Sequence, residues 1–227
     1  MSHPFMQRTE SLAAFGAWLR EGKHALLLAL GDSNTCNTGF TRGAKQWPEL
    51  LHSELRDRYQ TQKILLVNSG ISGDTVHNAL QRWHTDVARF MPTLAIVCFG
   101  SNDANKLDDA EFAEGLAEIV DRLQALSCGV LLRTPTPILE FKPEPGHIWK
   151  EDHKLKRRVE QIRELAARRE LPFVDVYAHW CALEAAGELR MPELMADAVH
   201  TNAVGHAMVF RSLAPAFGLP PTLAWER

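Results

Sequence analysis

The chain has 227 residues, of which 45% are apolar and 23% are charged. A single domain of this length buries roughly 70 to 75% of the surface that its unfolded chain exposes, so it forms a substantial core without cross-links. Its 25 basic and 28 acidic residues give a formal charge of −3, which provides no broad positive field for a phosphate backbone. We therefore expect no nucleic-acid partner.

The start of the sequence does not have the pattern of an export signal. Residues 1–18 lack a basic start followed by an apolar stretch and a small-residue cleavage site. The longest uncharged apolar runs, 25–30 and 94–99, are far below the roughly 20 residues that cross a bilayer. These features predict a cytoplasmic protein with no stable membrane insertion.

The cysteines are scattered and form no CxxC pair. A chain with room for a large apolar core does not depend on disulfides, so we predict reduced thiols. The four positions are Cys36, Cys98, Cys128 and Cys181.

Short apolar runs alternate with longer segments of helical period. The runs, which predict strands, are 25–30, 63–67, 94–99, 130–132 and 173–176. Apolar residues three and four apart predict helices at 9–19, 46–60, 75–90, 109–126, 154–169 and 203–213. Strands covered on both faces are apolar throughout, so the pattern predicts one α/β domain over residues 1–227, a three-layer α/β/α arrangement with a central five-stranded parallel sheet. Its core spans about 25–213, between an N-terminal helix and a proline-containing C-terminal tail.

Residues 134–149 have the composition of a long loop. They hold four prolines and a glycine, which disfavour both a helix and a central strand. Long loops inside compact domains are more often functional than idle, so we expect a wall or lid of a site, with a simple surface excursion as the alternative.

Small and polar residues follow three of the five predicted strands. They are GDSN at 31–34, NSGISGDT at 68–75 and GSND at 100–103. Because ligands bind outside the carboxyl ends of parallel strands, we expect all three segments to meet at one edge of the sheet. A serine in a tight strand-to-helix turn is presented there with backbone N–H groups beside it, which makes Ser33 the candidate nucleophile.

A serine nucleophile needs a general base, and the base needs a partner that orients it. Of ten histidines, His200 stands out because Asp197 precedes it by three residues, just before the last predicted helix. His77 and His84 lie seven apart on one helix, but without nearby cysteine or carboxylate spacing they are interpreted as solvated or packed residues.

The oxyanion of a tetrahedral intermediate needs two or three donors aimed at one point. The sequence offers the backbone N–H of Ser33, the backbone N–H of Gly73 and the side-chain amide of Asn102. Asp32 and Asp103 each follow a strand near a helix start, where a carboxylate accepts backbone N–H groups. The alternative for these two is a role behind the site, positioning the serine or Asn102.

Together these residues resemble the SGNH hydrolase superfamily, also called GDSL esterases and lipases, over residues 27–213. Four blocks match in order: GDS at 31–33, the glycine of the second block at Gly73, GxND at 100–103 and DxxH at 197–200. The resemblance implies a flavodoxin-like fold, with Ser33 as nucleophile, His200 as base and Asp197 as its partner. It also implies an oxyanion hole of Ser33, Gly73 and Asn102, with no cofactor and no metal.

Two departures from the family's commonest pattern lie beside the site. Asn34 and Thr35 stand where a hydrophobic or small residue often follows the serine, and Thr201 stands where proline usually follows the histidine. Neither removes a reacting group. We expect them to affect substrate preference and the stiffness of the histidine loop.

The predicted function is that of a serine esterase, which hydrolyses carboxylic esters of small molecules through an acyl-enzyme. Short-chain, carbohydrate and lipid acyl esters are the expected substrates, and thioesterase and lysophospholipase activities are alternatives within the resemblance. Two other classes stay open. One is a binding module without catalysis, and the other is a metal-dependent phosphoesterase, whose ligands would be Asp32, Asn102, Asp103, Asp197 and His200.

The residues that shape the substrate groove are assigned only as candidates. Phe40, Phe141 and Trp149 are placed to pack an acyl chain, or to form small aromatic clusters of their own. The polar side chains of Asn34, Asn37 and Thr38, beside the serine, suit a sugar ester equally well.

Overall fold

The computed structural model describes residues 6–7, 10–36, 39–139 and 152–223. Its centre is one sheet with the spatial order β1-β6-β5-β4-β2-β3. The strands are β1 Met6–Gln7, β2 Ala25–Gly31, β3 Ile64–Gly70, β4 Leu94–Cys98, β5 Gly129–Arg133 and β6 Phe173–Val174. Strands β2 to β6 pair in parallel, which confirms the predicted five-stranded parallel sheet.

The sheet has one additional edge strand. In β1, Met6 pairs with Val174 and Gln7 with Phe173, antiparallel to β6. Two residues are too few to show strand alternation, and their partner lies at the far end of the sequence, so no local pattern predicts this strand.

Helices cover both faces of the sheet. They are α1 Glu10–Arg20, α2 Trp47–Arg58, α3 Val76–Gln81, α4 Trp83–Asp86, α5 Asp103–Lys106, α6 Asp109–Ala125, α7 Asp152–Arg168, α8 Val176–Ala185, α9 Met191–Leu194 and α10 Ala203–Leu213. Short 3₁₀ turns lie at Gly39–Thr41, Ala88–Phe90 and Ala214–Phe217. The α1, α2, α8 and α10 helices form one apolar layer with the sheet, and α3, α6 and α7 form the other.

The central strand β2 shows why its sequence is apolar throughout. Leu27 and Ala29 point into the first layer, whereas Leu28 and Leu30 point into the second, and all four are fully buried. A strand with a core on each face has no solvent side on which a polar residue is tolerated. The predicted three-layer arrangement is therefore confirmed.

The single helix predicted over 75–90 is wrong. Helix α3 ends before Arg82, whose backbone (φ −93°, ψ 15°) leaves the helical conformation. The Arg82 side chain reaches back instead, with Nε 2.7 Å from the Asp74 carboxylate and Nη1 2.7 Å from the Ser69 hydroxyl. These contacts tie the helix break to the end of β3, and sequence periodicity does not register them.

The last strand is shorter than predicted. Strand β6 ends at Val174 rather than at residue 176, because the Asp175 side chain accepts the N–H of Ala178 at 2.9 Å and caps α8. Helix α8 was not predicted. Its sequence, VYAHWCALEA, carries apolar or small residues around most of its circumference and so lacks a clear helical stripe.

The remaining expectations concern thiols, membranes and the long loop. All four cysteines are free thiols. No helix in the ranges that the structure describes is both long and apolar enough to span a bilayer. Of the proline-rich loop, residues 134–139 are described and contain no helix or strand, while Phe141 and Trp149 lie outside the described residues.

Candidate active site

The three polar segments lie side by side at the carboxyl edge of the sheet. Gly31, the last residue of β2, pairs with Gly70 at the end of β3 and with Cys98 at the end of β4. The turn that carries Ser33 is therefore central, between the turn after β3 and the turn after β4. The predicted convergence of the three segments is observed.

The nucleophile turn is held by its own backbone. The carbonyl oxygen of Asp32 accepts the N–H groups of Thr35 and Cys36 at 3.0 and 3.1 Å, and its carboxylate accepts the N–H of Asn34 at 2.9 Å. A Cβ on Gly70 would lie 2.4 Å from the Cys36 nitrogen, so the adjacent strand approaches the turn more closely than any side chain permits. Among the described residues, none accepts a hydrogen bond from the Ser33 N–H.

The second donor turn contains a glycine with left-handed backbone. Gly73 has φ +83°, a conformation that other residues adopt only with strain. Its carbonyl oxygen accepts a bond of 2.6 Å from the Lys106 ammonium. Its N–H, like that of Ser33, has no acceptor within the described part of the chain. Two backbone donors are thus left open, one in the central turn and one in the neighbouring turn after β3.

Asn102 supplies a side-chain donor from the turn after β4. Its Nδ2 donates one hydrogen bond, to the carbonyl oxygen of Asp74 at 3.0 Å, and the residue is only 7% exposed. Because an amide nitrogen carries two hydrogens, one remains for a ligand. The bond to Asp74 also fixes the amide against the turn that contains Gly73.

The carboxylate of Asp103 links the turn after β4 to the beginning of helix α3, which follows the turn of Gly73. One carboxylate oxygen accepts the N–H of Val76 and the other accepts the N–H of Gly100, each at 2.8 Å. Burial raises the pKa of Asp103 to about 6 against the opposing effect of these two bonds. Burial likewise raises the pKa of Asp32, although the positive charge of Arg133 opposes it.

His200 and Asp197, the candidate base and its candidate partner, form a compact pair. His200 Nδ1 lies 2.8 Å from Asp197 Oδ2, while Asp197 Oδ1 accepts the N–H groups of Val199 and His200 at 2.8 and 2.7 Å. Partial burial raises the pKa of Asp197, but these hydrogen bonds outweigh it and hold the pKa below its ordinary value. An ionised carboxylate only accepts hydrogen bonds, so Nδ1 carries the proton and Nε2 is left as a base.

Asn34 joins the loop that carries His200, residues 195–201 (the histidine loop), to the turn that carries Ser33. Its Nδ2 donates to the Val199 carbonyl at 3.2 Å, and its Oδ1 accepts the Thr201 N–H at 3.0 Å. The residue after Ser33 therefore holds the residues on both sides of His200. A role of Asn34 in binding a sugar is not favoured, because the residue is only 6% exposed and its amide oxygen and one amide hydrogen bond this loop. Asn37 and Thr38 lie outside the described residues.

Two further groups line the histidine loop. The ring of Phe40 stacks on the His200 imidazole, with ring centroids 4.0 Å apart and planes 10° from parallel. The N–H of Leu139, in the first part of the proline-rich loop, donates to the Ala198 carbonyl at 2.9 Å. The bond of Leu139 favours the interpretation of the proline-rich loop as a wall of the site.

Two residues behind the site are not predicted from the sequence. His206 is 1% exposed and bonds the Thr201 hydroxyl, and Arg133, also 1% exposed, stacks over the Trp47 ring with its guanidinium carbon 4.8 Å from the ring centre. A charged residue directly after the apolar run of β5 was the one available hint of Arg133. His206 was one histidine among ten.

A metal-dependent phosphoesterase would need as ligands carboxylates that already accept hydrogen bonds from the protein. Asp103 accepts two backbone N–H groups, and Asp197 accepts two more besides the imidazole of His200. Within the described ranges, no three His, Cys, Asp or Glu side chains gather in a way that would hold a metal ion.

The chain is similar to known esterases over most of its length. It is 26% identical over 223 residues to an acetylxylan esterase of Geobacillus stearothermophilus, which covers 88% of this chain and 97% of the relative. It is also 26% identical over 190 residues to an uncharacterized lipoprotein, YqeF, of Bacillus subtilis, covering 71% and 73% of the two chains. The crystal structure of the Geobacillus enzyme matches with a TM-score of 0.71 at 24% identity, over 89% of this chain and 98% of that one.

Fold and relatives together define the class: the protein is a hydrolase of carboxylic esters. The model of the GDSL-like lipase/acylhydrolase family matches residues 29–208, which is more than half of the chain. The protein belongs to this family, and the resemblance stated from its four sequence blocks is confirmed.

Proposed function

We propose that the protein cleaves esters by nucleophilic catalysis, with Ser33 as nucleophile, His200 as general base and Asp197 as the residue that orients the base. The observation that carries the proposal is the 2.8 Å contact of His200 with Asp197, on a loop bonded to the residue next to Ser33. In support, solved variants of the Geobacillus enzyme that are described as catalytic mutants replace a serine, an aspartate and a histidine.

In the proposed reaction, the Ser33 hydroxyl oxygen attacks the ester carbonyl carbon while His200 Nε2 takes the hydroxyl proton. The negatively charged carboxylate of Asp197 stabilises the positive charge that forms on the His200 ring. The C–O bond to the alcohol then breaks, and the alcohol leaves with the proton from His200. A water molecule, activated by the same nitrogen, releases the acid from Ser33.

The negative oxygen of the intermediate is stabilised by three donors in this proposal: the N–H of Ser33, the N–H of Gly73 and the free hydrogen of Asn102 Nδ2. The first two have no acceptor in the described residues, so a substrate oxygen satisfies them without breaking an existing bond. Donors that are already oriented need no reorganisation when charge develops, which is the main source of catalysis in such sites.

For the substrate, we propose short acyl esters, with acetylated carbohydrates first. The support is the acetylxylan esterase relative, whose full length this chain nearly matches. Thioesters and lysophospholipids are the alternatives. A panel of acetyl, octanoyl and palmitoyl p-nitrophenyl esters, an acyl-CoA and acetylated xylose separates them by kcat/KM, and a preference for the palmitoyl ester or the acyl-CoA would reject the proposed substrate.

The chemistry is tested by Ser33→Ala with p-nitrophenyl acetate as substrate. We expect a loss on the order of a million-fold, because the attacking oxygen is removed. Ser127→Ala is the matched control, since Ser127 is an exposed serine before β5, at the opposite end of the strands. Full activity in Ser33→Ala with unchanged circular dichroism would reject the assignment.

The cytoplasmic location expected from residues 1–18 stays a prediction. One relative, at 26% identity, is named as a lipoprotein. Fractionation of the source cells, followed by immunodetection, checks the prediction: recovery with the membrane or the extracellular fraction would contradict it.

A further inference from the structure

The contacts of Asn34 extend into a chain of hydrogen bonds behind the site. The Thr201 hydroxyl lies 3.1 Å from Asn34 Oδ1 and 3.1 Å from His206 Nε2. His206 Nδ1 lies 3.5 Å from the backbone nitrogen of Trp47, and the Trp47 indole donates to the Asn34 carbonyl at 3.0 Å. This series of hydrogen bonds thus begins and ends on Asn34.

The direction of each bond follows from the groups present. Burial, with the nearby charge of Arg133, lowers the pKa of His206 to about 3, so its ring is neutral at pH 7. Because Nδ1 faces an N–H donor, Nε2 carries the ring proton and donates to the Thr201 hydroxyl. That hydroxyl then has its own hydrogen for Asn34 Oδ1. Each donor in this series of hydrogen bonds therefore has one acceptor, and only one arrangement of the hydrogens satisfies all of them.

Besides the Leu139 bond to Ala198 and the stack of Phe40 on His200, the histidine loop is held by hydrogen bonds within itself. Met195 and Thr201 form an antiparallel bridge, and the Ala196 N–H donates to the His200 carbonyl at 2.8 Å. These bonds shape the loop without fixing its place relative to Ser33. The amide of Asn34 supplies that link, because it contacts Val199 and Thr201 at once across 165 and 167 residues of sequence.

An amide suits this position chemically. Aspartate would offer no donor to the Val199 carbonyl and would add a negative charge next to the buried Asp32. An aliphatic side chain would leave the Val199 carbonyl and the Thr201 N–H unpaired in a buried place.

We propose that Asn34 is a positioning residue of the reaction: by holding Val199 and Thr201, it sets where the His200 imidazole stands relative to the Ser33 hydroxyl. The inference rests on the proposed function, because it assigns no role to Asn34 other than through the base.

The test compares Asn34→Ala with the wild type on p-nitrophenyl acetate. Displacement of a reacting group by about 1 Å costs about a hundredfold, so we expect kcat to fall roughly 30- to 100-fold with KM changed less than about threefold. The same substitution in a His200→Ala background should change the remaining rate less than about twofold, because Asn34 then has no base to position. A loss of stability alone would reduce the rate in both backgrounds.

Three results would overturn the inference: an unchanged kcat in Asn34→Ala, a loss confined to KM, or an equal loss in the His200→Ala background. If Asn34→Ala fails to fold, Thr201→Val takes its place. It keeps the Thr201 N–H but removes the hydroxyl, so we expect kcat to fall about 3- to 10-fold at unchanged KM. A kcat equal to that of the wild type overturns the inference as well.

Failure of the proposed function gives a different result. In that case Ser33→Ala and His200→Ala retain activity. If both lose activity while Asn34→Ala keeps it, only the role of Asn34 is rejected.

Discussion

The phenyl ring of Phe40 lies flat on the imidazole of His200, with ring centroids 4.0 Å apart. Asp197 holds one edge of the imidazole at Nδ1, and the stack covers one of its faces. A ring fixed at an edge and a face has little freedom to rotate, so its second nitrogen keeps a constant direction. The aromatic face also stabilises the positive charge that His200 acquires in the proposed reaction.

Replacing Phe40 should therefore slow the reaction. Cation–π contacts contribute about 0.5 to 2 kcal/mol, so we expect kcat for p-nitrophenyl acetate to fall about 3- to 30-fold in Phe40→Ala. Phe40→Tyr keeps the flat face and is the matched control, with a rate within about twofold of the wild type. Equal losses in both variants would show that the stack itself does not contribute.

The proposed side-chain donor of the oxyanion hole is tested by Asn102→Ala. Loss of one such donor costs about 10²- to 10³-fold in kcat, because it acts mainly on the transition state. His77→Ala is the control, since His77 lies on the neighbouring helix α3 and has no role in the account. Similar losses from both substitutions would contradict the assignment of Asn102.

The partner of the base is tested by Asp197→Asn. An asparagine keeps an acceptor for the Val199 and His200 N–H groups, but its NH₂ can face His200 Nδ1 and move the ring proton to Nε2. We expect kcat to fall about 10⁴-fold with the fold intact. Asp121→Asn is a control at an exposed carboxylate that pairs with Arg169 at 2.9 Å, and it should retain the wild-type rate. A small effect of Asp197→Asn would mean that His200 is oriented by something else.

His206 makes stability depend on pH. Its folded pKa, about 3, lies below the ordinary value of 6.5, so only the unfolded chain binds this proton between the two. The contribution of neutral His206 to the free energy of unfolding is complete above about pH 6.5. It declines by about 1.4 kcal/mol per pH unit as the pH falls toward 3. Asp103, whose pKa is raised by burial to about 6, acts in the opposite direction below that pH.

The two effects are separated by comparing variants. The free energy of unfolding in urea, measured at several pH values from 7 to 4, should fall less steeply with decreasing pH in His206→Gln than in the wild type. The difference in slope corresponds to one proton. Parallel curves for the two proteins would show that His206 does not titrate as described.

The sequence predicted those parts of the fold that are local patterns. The parallel strands are continuous apolar runs because both faces are buried, and helix α10 occupies the predicted residues 203–213. Strand β1 and helix α8 were missed, the first because it is two residues long and the second because it is apolar on most sides. The break at Arg82 depends on side-chain contacts with residues of the preceding strand and turn.

The site shows the same division. Ser33, Gly73, Asn102, Asp197 and His200 lie in short blocks of recognisable spacing. The structure brings the first three blocks to one edge of the sheet, and the hydrogen bonds of Asn34 join the block of Asp197 and His200 to them. The inward role of Asn34 is invisible in sequence because its partner is 167 residues away. The stack of Phe40 on His200 likewise arises only when the chain has folded.

The central claim is that His200 activates Ser33, and the most direct measurement is the rate and site of covalent labelling by a fluorophosphonate. We predict one adduct per chain, mapped by peptide mass spectrometry to Ser33, with a labelling rate reduced at least about a thousandfold in His200→Ala. An adduct on another residue, or equal labelling rates in the wild type and His200→Ala, would contradict it.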